Sequence, residues 1–92
     1  MNAPSEFEWD DAKAESNLAK HGVPFEYAIQ VFLDETCICF DASRLEQGEF
    51  RNKAVGMVDG RLFVFVFTMR GTTCRIISAR RANALEEKRY GS

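Results

Sequence analysis

Apolar residues recur along this chain with two different periods, and the switch between them divides a helical first part from a stranded second part. Phe25, Ala28, Ile29 and Phe32 fall at i, i+3, i+4 and i+7, which predicts a helix over 24–33 with one buried face. Pro24 suits its first turn, where a missing N–H is no loss, and the helix should end near Asp34. Upstream, Phe7-Glu8-Trp9 reads as a short extended piece with both aromatics on one side. Asp10 and Asp11 offer a carboxylate to the free N–H groups of a following helix over 11–21, with Ala14, Leu18 and His21 near one stripe. Gly22 stands where a left-handed residue would end it.

From Thr36 the period shortens. Thr36–Asp41 is β-branched and aromatic, hence a strand, and 42–49 reads as a loop with Arg44 and Glu46 in solvent. Arg51–Val58 and Arg61–Met69 flank Asp59-Gly60, a two-residue hairpin signal because both positions tolerate positive φ. The run 62–67 is apolar on both faces, which predicts a central strand covered by helix on one side and by a tail, loop or partner on the other. After a turn at Arg70-Gly71-Thr72, Thr73–Ala79 forms a further strand. Asn83 then caps a last helix, with Glu86 completing a capping box and Leu85 as the expected apolar contact. The order β-α-α-β-β-β-β-α predicts an α+β domain, an antiparallel β-sheet packed with two N-terminal helices and a C-terminal helix.

Length and composition narrow this picture. Ninety-two residues make a single domain, 1–92, with no room for a separate cofactor domain, and no cofactor is expected. An apolar content of 46%, including eight Phe, is enough for one core. Cys37, Cys39 and Cys74 are odd in number and lie in apolar runs, so they read as small buried hydrophobes rather than a disulfide framework. One His and no second close Cys pair are too few donors for a structural zinc site. No apolar run is long enough for a membrane span, and Met1–Ser5 lacks a signal-peptide pattern, so a cytoplasmic location is expected.

Net charge is only −2, but it is unevenly spread. Residues 1–50 hold eleven acidic and three basic side chains, whereas 51–92 hold nine basic and three acidic. Such asymmetry either builds an electropositive face from the second half or is neutralised across the fold.

The strings Phe7-Glu8-Trp9-Asp10, Lys13, Asn17, Lys20-His21-Gly22-Val23 and Phe25-Glu26 with Ala28 resemble the N-terminal signature of the BrnT family. Arg75-Ile76-Ile77-Ser78-Ala79-Arg80, then Ala82, Glu86 or Glu87, and Tyr90, is similar to its C-terminal signature. The likeness spans roughly residues 6–90, with Pro24 and the loop 42–50 as its departures. The resemblance implies a RelE-like ribonuclease fold and toxicity through RNA cleavage that stops translation. It also implies neutralisation by a BrnA-like antitoxin, whose ribbon-helix-helix part binds operator DNA and represses the shared promoter.

RNA carries its own nucleophile. A 2′-hydroxyl attacks the neighbouring phosphorus once its proton is removed, the extra negative charge is stabilised and the 5′-oxygen is protonated, so no metal is needed. His21 is the one histidine, and imidazole ordinarily titrates at about 6.5, which suits proton transfer. Capping carbonyls or packing on Trp9 are the alternative roles for it, with Lys20 beside it. Arginine's planar fork grips two phosphate oxygens at once, which makes Arg80, Arg75 and Arg51 candidate phosphate ligands; each is equally able to be a solvated surface group. Strict alternation places Arg75 and Arg80 on opposite faces of their strand unless a bulge or the strand end redirects one. Tyr90 and Glu87, one helical turn apart, offer a phenol and a carboxylate, while Tyr90 is also suited to anchoring the C-terminus in the core. Arg61 and Arg70, in turns, read as surface groups, and Phe63, Phe65 and Phe67 as core.

The expected activity is therefore metal-independent endoribonuclease, with Lys20, His21, Arg51, Arg75, Arg80 and Tyr90 around a sheet surface. The alternative is a non-catalytic antitoxin-binding module acting as co-repressor, motivated by the doubly apolar strand. Direct DNA binding by this chain is disfavoured, because no helix-turn-helix pattern appears and the first half is acidic.

Overall fold

The computed structural model describes residues 4–41 and 51–91. The expected loop over 42–49, with Arg44 and Glu46, lies outside the described residues. Along the chain run β1 (Glu6–Glu8), α1 (Asp11–His21), α2 (Glu26–Leu33), β2 (Ile38–Asp41), β3 (Asn52–Val58), β4 (Arg61–Arg70), β5 (Thr73–Arg81) and α3 (Ala84–Tyr90). The strands form one sheet in the order β1-β5-β4-β3-β2.

The sheet is mixed, which corrects the expectation of an antiparallel one. β1 lies parallel to β5, with Phe7 opposite Cys74, whereas every other pairing is antiparallel. A three-residue strand leaves little pattern in the sequence. Its direction is set by where Phe7 can reach the Phe32 ring, 5.6 Å away between centroids.

Local signals account for most element ends. The Asp10 carboxylate accepts hydrogen bonds from the Ala12 and Lys13 N–H groups at 2.8 and 3.1 Å, and Gly22 closes α1 in the left-handed conformation. Asp59 and Gly60 both have positive φ, the hairpin geometry read from the sequence. Helix α2 starts two residues later than expected. Pro24 stands before it, with only a single turn in which the Tyr27 N–H donates to the Pro24 carbonyl. Its end is secured from the far side: the Asp34 carboxylate accepts from the Thr36 N–H and hydroxyl and from the Met57 N–H of β3. These donors hold the Asp34 carboxyl below its ordinary pKa, the Met57 N–H most of all. The same turn consumes Thr36, so β2 begins at Ile38 rather than Thr36.

Both N-terminal helices cover one sheet face. Their core joins Val23, Phe25, Ala28 and Val31 to Ala54, Phe63, Phe65, Phe67, Ile76 and Ala79. Two buried stripes differ from expectation. In α2, Val31 is fully buried and Ile29 is 37% exposed. In α1, the buried residue is Asn17, while Leu18 is half exposed and His21 exposed. Gly56 makes close approach possible here, because a Cβ at that position would lie 2.9 Å from Val31 Cγ1.

The second face of the doubly apolar strand is covered from within the chain. Val55, Leu62 and Val64 form a smaller cluster under Ala82 and Tyr90, the latter from α3. Leu85, expected to make this contact, is 66% exposed. A helix of seven residues presents too narrow a face to seat both side chains.

Candidate RNA-binding face

The face bearing α3 is opposite the one bearing α1 and α2, and its chemistry depends on an irregularity in β5. Val66 pairs with Ser78, but Phe67 pairs with Ile76, so Ile77 is an extra residue in the ladder. One extra residue inverts the alternation. Cys74 and Ile76 before it and Ala79 after it all join the helix-covered core. Arg75 and Arg80 therefore share the other face, the condition under which the sequence allowed them to act together.

Cross-strand pairs share a face, and successive rows across the sheet show what else lies there. Arg80 continues the row Val55–Val64, Ser78 the row Lys53–Val66, and Arg75 stands opposite Thr68. Arg51 immediately precedes β3, two residues before Lys53, so alternation carries it to the same side, where it is half-buried. Arg51, Lys53, Arg75 and Arg80 thus rise from two strands, β3 and β5, onto one surface. Arg75 and Arg80 stand four register positions apart, roughly 13 Å along a strand. They can meet neighbouring phosphates of one chain, not the same phosphate.

Arg80 is held rigidly. Its two terminal nitrogens donate to the two Glu86 carboxylate oxygens at 2.6 and 2.8 Å, a bidentate fork. Glu86 also accepts from the Asn83 N–H at 2.9 Å while its own N–H donates to the Asn83 side chain, completing the capping box. Sequence reasoning assigned Glu86 to the cap and looked to Glu87 to orient a cation. Glu86 does both, and Glu87 is exposed. The Arg80 fork, the Asn83 N–H and the charge of Lys53 draw the Glu86 carboxyl down to about 2, while Glu86 raises Arg80 further. Arg75 meets Glu8 only at 3.7 Å, a looser, partly exposed pair.

Tyr90 is half-buried above Val55, Leu62 and Val64 and stacks against Phe40 of β2, with ring centroids 6.3 Å apart. A pocket of about 250 Å³ lies beside this pair, lined by Phe40, Asn83, Leu85, Glu86, Arg89 and Tyr90. Lys53 and Phe40 were not singled out from the sequence. Both alternate with apolar neighbours on strands, and only the register shows that they adjoin Glu86 and Tyr90.

Lys20 and His21 are placed elsewhere. They end α1, both exposed, and α1 packs on the opposite side of the sheet through Asn17 and Ala79. The sheet separates them from Arg51, Arg75, Arg80 and Tyr90. What lies beside Gly22 instead is a cleft of about 320 Å³ that Tyr27, Arg61 and Arg81 help to line.

Cys37 and Cys74 are not activated as nucleophiles. Burial, as the largest cause, pushes both Cys37 and Cys74 up to about 12, and neighbouring Cys39 adds to each.

Residues 9–86 match a family model described as the ribonuclease toxin BrnT of type II toxin–antitoxin systems. The chain belongs to this family. No curated protein matches it. The match runs from just after β1 to the start of α3, so it includes Arg51, Lys53, Arg75, Arg80 and Glu86. Membership makes this chain a BrnT-type ribonuclease toxin whose setting includes an antitoxin partner and an RNA substrate. Among the described residues, no helix is long and apolar enough to cross a membrane.

Proposed function

We propose that this BrnT-family chain is a metal-independent endoribonuclease with a RelE-like fold, and that the α3-bearing face is where RNA lies. The observation that carries this reading is the extra residue at Ile77, which brings Arg75 and Arg80 to the side on which Arg51 and Lys53 also stand. A phosphodiester at Arg80 meets a guanidinium already oriented by Glu86 and by the Arg81 carbonyl, leaving Nε–H and one Nη2 N–H for phosphoryl oxygens. Donors fixed in advance stabilise developing charge without reorganising during the reaction.

In the proposed step, the 2′-oxygen forms a bond to phosphorus and the P–O5′ bond breaks. The proton of the 2′-hydroxyl leaves to a base, and the departing 5′-oxygen gains one. Lys53 and Tyr90 stand on this face near Arg80 and Glu86, and they are the proposed proton carriers. His21 and Lys20, across the sheet, are left a role in RNA binding. The product is a 2′,3′-cyclic phosphate, which hydrolysis opens to a 3′-phosphate.

A BrnA-like antitoxin with a ribbon-helix-helix part is the proposed partner, acting in the cytoplasm by covering this cationic face and reaching operator DNA itself. The co-repressor alternative rested on an apolar face of β4 needing a cover, and Ala82 and Tyr90 pack over Leu62 and Val64 there.

The test is direct. Chain freed of antitoxin should cleave RNA in EDTA and leave cyclic or 3′-phosphate ends, and expression should arrest growth by stopping translation. Arg80→Lys keeps the charge but loses the fork, and should lower cleavage by at least tenfold. Intact RNA at stoichiometric protein, or full activity in Arg80→Lys, refutes the proposal.

A further inference from the structure

The corner of the molecule across the sheet from Arg80 holds a second cationic site. β5 continues two residues beyond the expected Ala79, and its last residue, Arg81, pairs with Phe63. Consecutive residues on a strand point to opposite faces, so Arg80 and Arg81 serve the two sides of the sheet at one end. The Asp59-Gly60 hairpin places Arg61 beside this end, opposite Val58. Between Gly22, which ends α1, and Glu26, which begins α2, the helical layer leaves that end uncovered. The result is the cleft of about 320 Å³ lined by Gly22, Tyr27, Asp59, Arg61, Phe63 and Arg81 among others.

Three features point to what this cleft takes. Among the described residues, neither the Arg61 nor the Arg81 guanidinium meets a carboxylate, although Asp59 is close enough to line the same space. Two uncompensated forks beside one acid leave a net positive site. Tyr27 is held edge-on against the Phe63 ring at 5.5 Å, so its position is fixed, and its hydroxyl is available as a further donor. The volume suits a small ligand group rather than a single ion.

We propose that this cleft is a phosphate subsite for the RNA strand, engaging a phosphodiester away from the bond that is cut. The RNA passes around the end of β5, with Arg80 on one face and Arg81 on the other. This rests on the ribonuclease reading for its substrate, and gives Arg61 and Arg81 the role of holding the chain, not of acting on the reacting atoms.

The experiment uses the full chain and a fluorescent, uncleavable 2′-O-methyl RNA oligonucleotide, with binding followed by anisotropy across a salt series. Each phosphate contact to a single strand contributes about 0.7 to the slope of log K against log salt. The Arg61→Gln/Arg81→Gln double variant should lower that slope by about 0.7–1.4 and weaken binding at least tenfold at moderate salt. Both side chains are exposed, so its melting temperature should match the parent. Cleavage of a dinucleotide, too short to span both sites, should be unchanged in the variant, while cleavage of a long RNA falls. An unchanged slope overturns the proposal, as does equal loss of dinucleotide and long-RNA cleavage. A nucleoside monophosphate that binds as tightly as the oligonucleotide also overturns it, because the cleft would then be a mononucleotide site. A chain that binds RNA through these arginines but cleaves nothing removes the ribonuclease reading and leaves the subsite standing.

Discussion

Asn17 is the residue whose replacement tests the fold most sharply. Beyond Arg75, β5 has no neighbouring strand on its outer side among the described residues, because β1 pairs with Thr73, Cys74 and Arg75 alone. The Asn17 side chain takes over. Its Nδ2 donates to the Ala79 carbonyl at 2.8 Å and to the Val23 carbonyl at 3.1 Å, and its Oδ1 accepts from the Ala79 N–H at 3.1 Å. One amide thus replaces a missing strand and ties α1, the α1–α2 turn and β5 together at a buried point. Asn17→Ala removes three hydrogen bonds and strands the Ala79 peptide groups without water. At about 1 kcal/mol per bond, the loss is about 3 kcal/mol. For a domain of this size that lowers the melting temperature by about 12–24 °C. Asn17→Asp keeps the volume but sets a carboxylate beside two carbonyl oxygens, which raises its folded-state pKa. Its deficit relative to the parent should therefore be smallest at pH 4 and widen as pH rises through that elevated value. Urea unfolding followed by circular dichroism from pH 4 to 8 measures both. An Asn17→Ala loss below 1 kcal/mol, or an Asn17→Asp deficit that shrinks with rising pH, would refute the assignment of strand-like bonding to this side chain.

Two further outcomes follow from the geometry. Glu86, drawn down to about 2, contributes stability that is fully present above its ordinary carboxylate value of about 4.5 and is lost as pH falls toward 2. Solvent reaches the Arg80 fork, so the contribution is about 1–2 kcal/mol, and Glu86→Gln should flatten the acid limb of an unfolding profile measured between pH 5 and 2. Gly56→Ala would push a methyl to within 2.9 Å of Val31 and should cost about 1–3 kcal/mol by thermal melting; parental stability would show that α2 yields freely.

What the amino-acid order determined by itself was whatever operates over a few residues. The Asp10 cap, the Asp59-Gly60 turn, the Asn83–Glu86 box and the change of hydrophobic period all bind neighbours to neighbours, so their geometry is written in adjacent letters. Candidate phosphate ligands were legible as residue types for the same reason. Which of them share a surface was not. That depended on the ladder between β4 and β5, where one unpaired residue turned Arg75 and Arg80 to one side, and on α3 folding back to place Glu86 against Arg80. The parallel seat of β1 and the Asn17 bridge, 62 residues from Ala79 in sequence, likewise arise only when distant segments meet. Periodicity records which face a residue prefers within its own segment. Register between segments is chosen by the packing of the whole core, and it was this that set Lys20 and His21 apart from the arginines they were expected to join.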